Sequence, residues 1–172
     1  MPGNSLQELY IDELRDLYSA EMQMVRALPK MAKASTNTRL REGFEEHLRQ
    51  TSEQVGRLEQ IFEQLGEKPF GKKCLGMEGL VKEGAEVIKT NYAEEVKDAA
   101  LIGAAQRVEH YEIAAYGTAR SLAELLGESE HVTLLEQTLE EEKQTDQNLT
   151  ELSKEIHPRA GEGRSSKSKR AA

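Results

Sequence analysis

The sequence has no tryptophan, one cysteine and four prolines, and aromatic residues make up only 5% of its 172 residues. A single cysteine, Cys74, cannot form an intramolecular disulfide, so nothing in the chain requires an oxidising compartment. Charged residues reach 31%. This balance suits long amphipathic helices far better than a sheet. We therefore expect one all-α domain.

Long apolar runs and a basic surface are also missing. No stretch approaches the roughly 20 apolar residues of a membrane span, and the N-terminal segment lacks the basic start and apolar run of a secretory signal. We expect a cytoplasmic protein with no membrane partner. The net charge of −8 argues against nucleic-acid binding by the body of the protein, because such binding needs a basic surface. Phosphate-loop, dinucleotide-binding, nucleophile-elbow and zinc-protease motifs are likewise absent.

Apolar residues recur at helical spacing in four long segments, which predicts helices at about 5–34, 39–65, 94–126 and 130–156. Asn4 or Ser5 can cap the first helix. Gly66 and Gly127 are placed to end the second and third helices. Pro158 is expected to end the fourth, because proline removes a backbone donor and crowds the preceding turn.

Residues 66–92 are rich in glycine and lysine and are too many for a simple turn. Apolar residues between Met77 and Ile88 predict a short extra helix there. A crossover of this length distinguishes ferritin-like bundles from up-and-down bundles. We expect a ferritin-like four-helix bundle over 1–157, with a short fifth helix between helices two and three. The polar, basic segment 158–172 is expected to be a disordered tail.

Four glutamates fall on the apolar sides of the predicted helices. Glu109 and Glu112 share the buried side of 105–120, and Glu21 and Glu142 interrupt the apolar stripes of their own helices. Burying an unpaired ion costs several kcal/mol, a large part of a domain's stability of ~5–15 kcal/mol. These carboxylates therefore need protons, inward-reaching Arg or Lys side chains, or a metal.

Di-iron and di-manganese carboxylate bundles use one Glu from each of two helices and a Glu-x-x-His from each of the other two. The pattern predicts two ions per chain, iron or manganese, because hard carboxylate oxygens suit both. Gln54 and Thr145 stand where the two histidines would be. His47, one heptad before Gln54, and Asp146, one turn after Glu142, are further candidate ligands. Gln54 suits an orienting role better than a ligand role.

Three segments together are distinctive: DLYSAE, RLEQIFEQLGEKPFGKKC and VEHYEIAAYGT. With their surroundings, over about residues 6–153, they resemble the YciE/YciF family of bacterial ferritin-like stress proteins. The resemblance implies a rubrerythrin-like four-helix bundle that forms homodimers, is made under general stress and carries a di-metal site. It also implies metal-site positions for the four glutamates in YSAE, VEHYE and LEEEK, namely Glu21, Glu109, Glu112 and Glu142.

Three functions follow from this reading. In the first, two ferrous ions bind among the carboxylates and react with oxygen or peroxide as an oxidase or peroxidase would, with electrons from an unidentified donor. In the second, the bundle is a non-catalytic dimerisation or partner-binding module without metal, and the carboxylates hold protons or ion pairs. A third, DNA shielding, is disfavoured by the acidic body and supported only by the basic tail.

Overall fold

The computed structural model describes residues 5–162, which form five α-helices and no strand. The helices are α1 (Leu6–Ala34), α2 (Thr38–Leu65), α3 (Leu75–Lys89), α4 (Glu94–Leu126) and α5 (Ser129–Glu162). The all-α class and the short helix in the crossover are confirmed. Within the described residues, every helix is too short or too polar to cross a bilayer.

The four long helices form two pairs, each joined by a short turn. Residues 35–37 connect α1 to α2, and residues 127–128 connect α4 to α5. Contacts of α1 with α4 and of α2 with α5 close the bundle, and α3 packs against α1 and α4. The α1–α4 side is therefore covered by the crossover helix, whereas the α2–α5 side lies opposite it.

Local sequence accounts for the helix ends. Ser5 and Glu8 form a capping box, in which the Ser5 hydroxyl accepts from the Glu8 amide and the Glu8 carboxylate accepts from the Ser5 amide. Gly66 and Gly127 end α2 and α4 with φ of 66° and 76°, a left-handed conformation that favours glycine. The predicted ends of these two helices are confirmed.

The predicted end of the last helix is wrong, because α5 continues through Pro158 to Glu162. Proline at 158 removes the hydrogen bond to the carbonyl of Lys154. Both residues are exposed, so water can satisfy that carbonyl, and one missing bond does not prevent the following residues from being helical. The expected disordered tail therefore overlaps α5 at 158–162, and its remainder, 163–172, lies outside the described residues.

Two apolar clusters fill the interior. One combines the C-terminal half of α1 with the start of α2, α3, the start of α4 and the end of α5. The other combines the start of α1 with the end of α2, the end of α4 and the start of α5. A layer of buried polar side chains separates the two clusters at one level of the bundle. We call it the polar layer: Glu21, His47, Thr51, Gln54, Glu109, Glu112 and Glu142.

Buried polar contacts outside this layer fix the helices that carry it. The Asp98 carboxylate on α4 accepts hydrogen bonds from the Thr36 amide (2.9 Å), the Thr36 hydroxyl (2.6 Å) and the Asn37 amide (2.8 Å). Asp98 thereby ties the α1–α2 turn to α4. Cys74 is buried at the first turn of α3, where its sulfur accepts from the Met77 amide (3.3 Å) and lies 2.9 Å from the Tyr111 hydroxyl on α4.

Candidate metal centre

Side chains from four helices meet in the polar layer. The helical repeat places Glu109 and Glu112 on one face of α4, while His47 comes from α2 and Glu142 from α5. Each of these four residues offers one ligand atom, and the four atoms lie within 4.8 Å of one another. None of the four is more than 3% exposed. The structure thus brings three carboxylates and an imidazole into one dry cluster.

Glu21 joins the layer from α1 and is held by Tyr116. The Tyr116 hydroxyl donates to Glu21 Oε1 at 2.5 Å, and both side chains are buried. The second oxygen, Oε2, has no hydrogen-bond partner. Tyr116 therefore orients one oxygen of Glu21 and leaves the other available.

His47 lies between two carboxylates. Its Nδ1 is 3.3 Å from Glu109 Oε1, and its Nε2 is 3.4 Å from Glu142 Oε2. Neither contact has the geometry of a hydrogen bond, since Nε2 and both Glu109 oxygens lack hydrogen-bond partners. The imidazole is positioned either to pair with these carboxylates when protonated or to share a cation with them when neutral.

Glu142 is supported from outside the cluster by an amide. Gln54 Nε2 donates to Glu142 Oε1 at 2.5 Å and to Glu141 Oε2 at 3.1 Å. Both terminal nitrogens of Arg57 donate to Glu141, each at 2.7 Å. This bidentate contact fixes the carboxylate of Glu141. Glu141 in turn positions Gln54, which holds the carboxylate of Glu142. The contacts of Gln54 suit the orienting role expected from the sequence.

Burial and mutual repulsion act strongly on the protonation of these glutamates. Burial, and then the neighbouring carboxylates, raise the pKa values of Glu21, Glu109 and Glu112 well above their ordinary range. Burial opposes ionisation of Glu142 as well, but the adjacent His47, Glu109 and Gln54 lower its pKa to about 2. Without a metal, the layer therefore holds one ionised carboxylate beside three that favour the neutral acid.

Polar atoms without partners concentrate in this layer. Among residues 5–162, eight buried side-chain oxygen and nitrogen atoms lack a hydrogen bond, and all eight belong to the polar layer: Glu21 Oε2, His47 Nε2, Thr51 Oγ1, Gln54 Oε1, both oxygens of Glu109, Glu112 Oε1 and Glu142 Oε2. Within the same range no Arg or Lys forms an ion pair with the four buried glutamates. Buried polar groups in proteins nearly always have partners, so this donor set fits a metal.

Asp146, a sequence candidate, lies outside the cluster. Its Oδ2 is 3.3 Å from His110 Nε2, and its Oδ1 accepts from Gln106 at 3.2 Å. Asp146 lies one helical turn after Glu142 and is therefore rotated about 40° further round α5. This rotation directs its carboxylate to α4 rather than to the cluster of ligand atoms. Thr145 is also outside the cluster, and its hydroxyl donates to the Glu141 carbonyl at 3.0 Å.

Thr51 was not among the candidate residues, although it is fully buried with an unpartnered hydroxyl. It lies one turn beyond His47 on the same face of α2. The sequence did contain a signal for it. The interval of thirty residues that separates Glu112 from Glu142 also separates Glu21 from Thr51, so Thr51 occupies in the first helix pair the position of Glu142 in the second.

The bundle, its long crossover and its carboxylate-lined interior define a ferritin-like helical protein. The chain belongs to the YciF family, and the family model described as "Domain of unknown function (DUF892)" matches residues 5–160. It is 48% identical over 153 residues to Protein YciF of Escherichia coli strain K12, covering 88% of this chain and 92% of that protein.

Solved structures agree with this assignment. The crystal structure of the E. coli stress protein YciF matches with a TM-score of 0.85 at 48% identity, over 88% of this chain and 96% of that one. YcfI from Rhodopseudomonas palustris matches with a TM-score of 0.83 at 43% identity, over 86% and 94% of the two chains. A Xanthomonas campestris protein of 21% identity and TM-score 0.74 shares the fold, over 94% and 99% of the chains.

Proposed function

We propose that the polar layer is a metal centre holding two divalent ions, iron or manganese, and that the protein handles iron or peroxide during stress. The observation that carries the proposal is the set of eight unpartnered polar atoms in one buried layer. Unpartnered groups of this kind are destabilising unless something satisfies them. The E. coli relative is described as a stress protein, which supports the physiological setting.

Charge and ligand type favour this occupant. Glu21, Glu109, Glu112 and Glu142 carry four negative charges when ionised, and two divalent cations neutralise them. Carboxylate oxygens with one imidazole nitrogen, His47, are ligands that iron and manganese accept in carboxylate bundles. The raised pKa values of three of these glutamates mean that metal binding would release protons.

The chain's own residues would prepare this site in two ways. Tyr116 and Gln54 hold Glu21 and Glu142 in place by hydrogen bonds of 2.5 Å each. Burial excludes bulk water from the layer, which strengthens every electrostatic interaction within it. A bound ferrous pair would supply electrons for the reduction of dioxygen or peroxide.

One observation favours the alternative, a bundle without metal that serves as a dimerisation or partner-binding module. His47 lies 3.3 Å from Glu109 and 3.4 Å from Glu142, so a protonated imidazole could balance the one ionised glutamate. With the other three glutamates neutral, the layer would then need no further cation.

Metal analysis separates the two functions. The protein is purified without chelator, incubated anaerobically with excess ferrous or manganous ion, desalted and analysed by mass spectrometry of the elements. We expect about two ions per chain and none in the double variant Glu109→Gln with Glu112→Gln, which keeps the shape of the side chains. Glu140→Gln, at an exposed neighbouring position, is the matched control and should bind as the parent does. Absence of metal from the parent would refute the centre and favour the alternative.

A further inference from the structure

A cavity of about 80 Å³ lies between α2 and α5, on the side of the bundle that α3 does not cover. Its walls include Gly43, Phe44, His47, Thr145, Leu149 and Leu152. The α2–α5 pair is less closely packed than the α1–α2 and α4–α5 pairs. One water-sized molecule needs only about 10–15 Å³ of such space, so the cavity can hold several.

The cavity reaches the candidate metal centre at His47. Among the cavity's wall residues, His47 alone belongs to the cluster of ligand atoms. The same imidazole contacts Glu109 and Glu142. A molecule inside the cavity is therefore separated from these carboxylates by one side chain.

Small residues create this space. Thr145 occupies the position, three residues after Glu142, where a Glu-x-x-His motif would place an imidazole, and its hydroxyl is turned back to the Glu141 carbonyl. Gly43 adds no side chain at the outer part of the wall, and a Cβ built there meets no atom within 4 Å. Positions 43 and 145 therefore add little bulk to the cavity wall.

The side chains that line the cavity suit a small uncharged molecule. The polar members of this lining, Gln50, Thr145 and Asn148, are neutral, and its one charged member, Glu46, is paired with Arg49 at the exposed surface. A divalent cation would have to give up hydration against Phe44 and two leucines, which is unfavourable. Dioxygen and hydrogen peroxide are small, uncharged and compatible with a mixed apolar and polar wall.

We propose that this cavity is the passage by which a small uncharged oxidant, dioxygen or hydrogen peroxide, reaches the His47 edge of the centre. The identification of this molecule as an oxidant rests on the function proposed above. The existence of the passage is a separate property of the chain, which can be measured without metal.

Two glycines of α2 provide a matched pair of variants. Gly43→Leu adds a side chain at the cavity wall, whereas Gly56→Leu adds the same side chain to the same helix away from it, and neither new Cβ meets an atom within 4 Å. Leucine is a better helix former than glycine, which lies about 0.8–1 kcal/mol below alanine, so both variants should fold. Equal helix content and Tm would establish this.

The first measurement uses dissolved dioxygen, which is paramagnetic, as the probe of the metal-free protein. Oxygen under pressure should enhance the nuclear relaxation of the His47 ring protons and the Leu149 methyl protons in the parent. We expect Gly43→Leu to reduce this enhancement about threefold or more, as filling the volume blocks access, and Gly56→Leu to leave it unchanged. Equal enhancement in Gly43→Leu and the parent would overturn the passage.

The second measurement tests which oxidant uses the passage, in protein loaded with ferrous ion. Stopped-flow oxidation is followed with dioxygen and, separately, with hydrogen peroxide. Slower oxidation in Gly43→Leu at equal iron content identifies the oxidant that uses the passage, whereas equal rates with both oxidants overturn the proposal and leave the metal centre intact. A parent protein that binds no iron refutes the proposed function, and the oxygen relaxation measurement then decides the passage alone.

Discussion

Glu109 and Glu142 are both buried in the polar layer, yet their neighbours give them opposite protonation. Glu142 faces His47 and accepts from Gln54, and its pKa falls to about 2. Glu109 also lies near His47, at 3.3 Å, but burial and then the repulsion of three neighbouring carboxylates raise its pKa, and no hydrogen bond offsets them. Burial alone therefore does not determine the ionisation of a glutamate; the groups within a few ångströms of it decide.

Replacement of Tyr116 by phenylalanine removes the one hydrogen bond that Glu21 receives. That bond lowers the pKa of Glu21, so its loss should raise this pKa further and let protons compete better with metal. We expect the affinity for ferrous or manganous ion to fall roughly 10–100-fold with unchanged stoichiometry. Isothermal titration of the metal-free protein measures both quantities.

Tyr18→Phe is the control for this experiment. The Tyr18 hydroxyl donates to Glu59, outside the polar layer, at 3.1 Å. Metal affinity should be unaffected by this change. An equal loss of affinity in both variants would show that Tyr116 acts through general stability rather than through Glu21.

Periodicity was enough to place Glu21, Glu109, Glu112 and Glu142 on buried helix faces, because a helical repeat fixes the direction of each side chain relative to its own apolar stripe. Periodicity could not determine which residues a side chain near the edge of an apolar stripe would contact. Asp146 illustrates this limit, since His110 and Gln106 on α4 lie within its reach.

At the scale of single elements, α3 depends on a close fit between Gly76 and Tyr111 of α4. A Cβ at Gly76 would lie 2.5 Å from Cε2 of Tyr111, whereas a Cβ at Gly79 on the same helix meets nothing within 4 Å. Tyr111 cannot easily move aside, because its hydroxyl contacts Cys74 and donates to Asp16 at 2.8 Å. Gly76 thus allows α3 to approach α4.

We predict opposite effects of alanine at these two glycines. Gly76→Ala should lower the free energy of unfolding by about 1–3 kcal/mol through overpacking. Gly79→Ala should raise it by about 0.5–1 kcal/mol through helix propensity. Denaturant titration with circular dichroism measures both values. Stabilisation by both substitutions would show that Tyr111 rearranges without cost.

Helix ends were predictable where a residue's own backbone preference decides them. Gly66 and Gly127 end their helices with the left-handed conformation expected of glycine. Pro158 did not end α5, because a proline at an exposed position costs one hydrogen bond but leaves the following residues free to remain helical. The sequence pattern around a proline does not reveal whether water can reach the freed carbonyl.

For the whole molecule, the three raised glutamate pKa values make metal-free stability depend on pH. Above the ordinary carboxylate pKa the unfolded chain loses these protons while the folded chain keeps them, so stability falls as pH rises. We therefore expect Tm to fall steadily between about pH 5 and 8. Bound divalent ion should reverse this trend, because it replaces the protons.

The Glu109→Gln, Glu112→Gln double variant is the reference for the pH series, measured by calorimetry in the presence of chelator. Its Tm should fall less with pH than that of the parent. The lowered pKa of His131, due to burial, acts in the opposite direction below about pH 6.5 and is common to both proteins. Identical pH profiles for the two proteins would contradict the buried, protonated state of Glu109 and Glu112.

The fold class followed from the sequence because few aromatic residues, many charges and long amphipathic segments permit little besides a helical bundle. The level of the bundle at which the polar residues meet could not be predicted from the sequence. That level depends on how far each helix is displaced along its axis, which is set by contacts such as those of Asp98 with the α1–α2 turn. Such contacts join residues more than sixty positions apart.

The burial of Cys74 at the first turn of α3 makes its thiol a natural probe of structural opening. As the chain has no other thiol, alkylation by iodoacetamide marks those molecules in which the crossover has detached from the bundle, either alone or in complete unfolding. The labelling rate therefore reports how often this detachment happens, without any engineered probe.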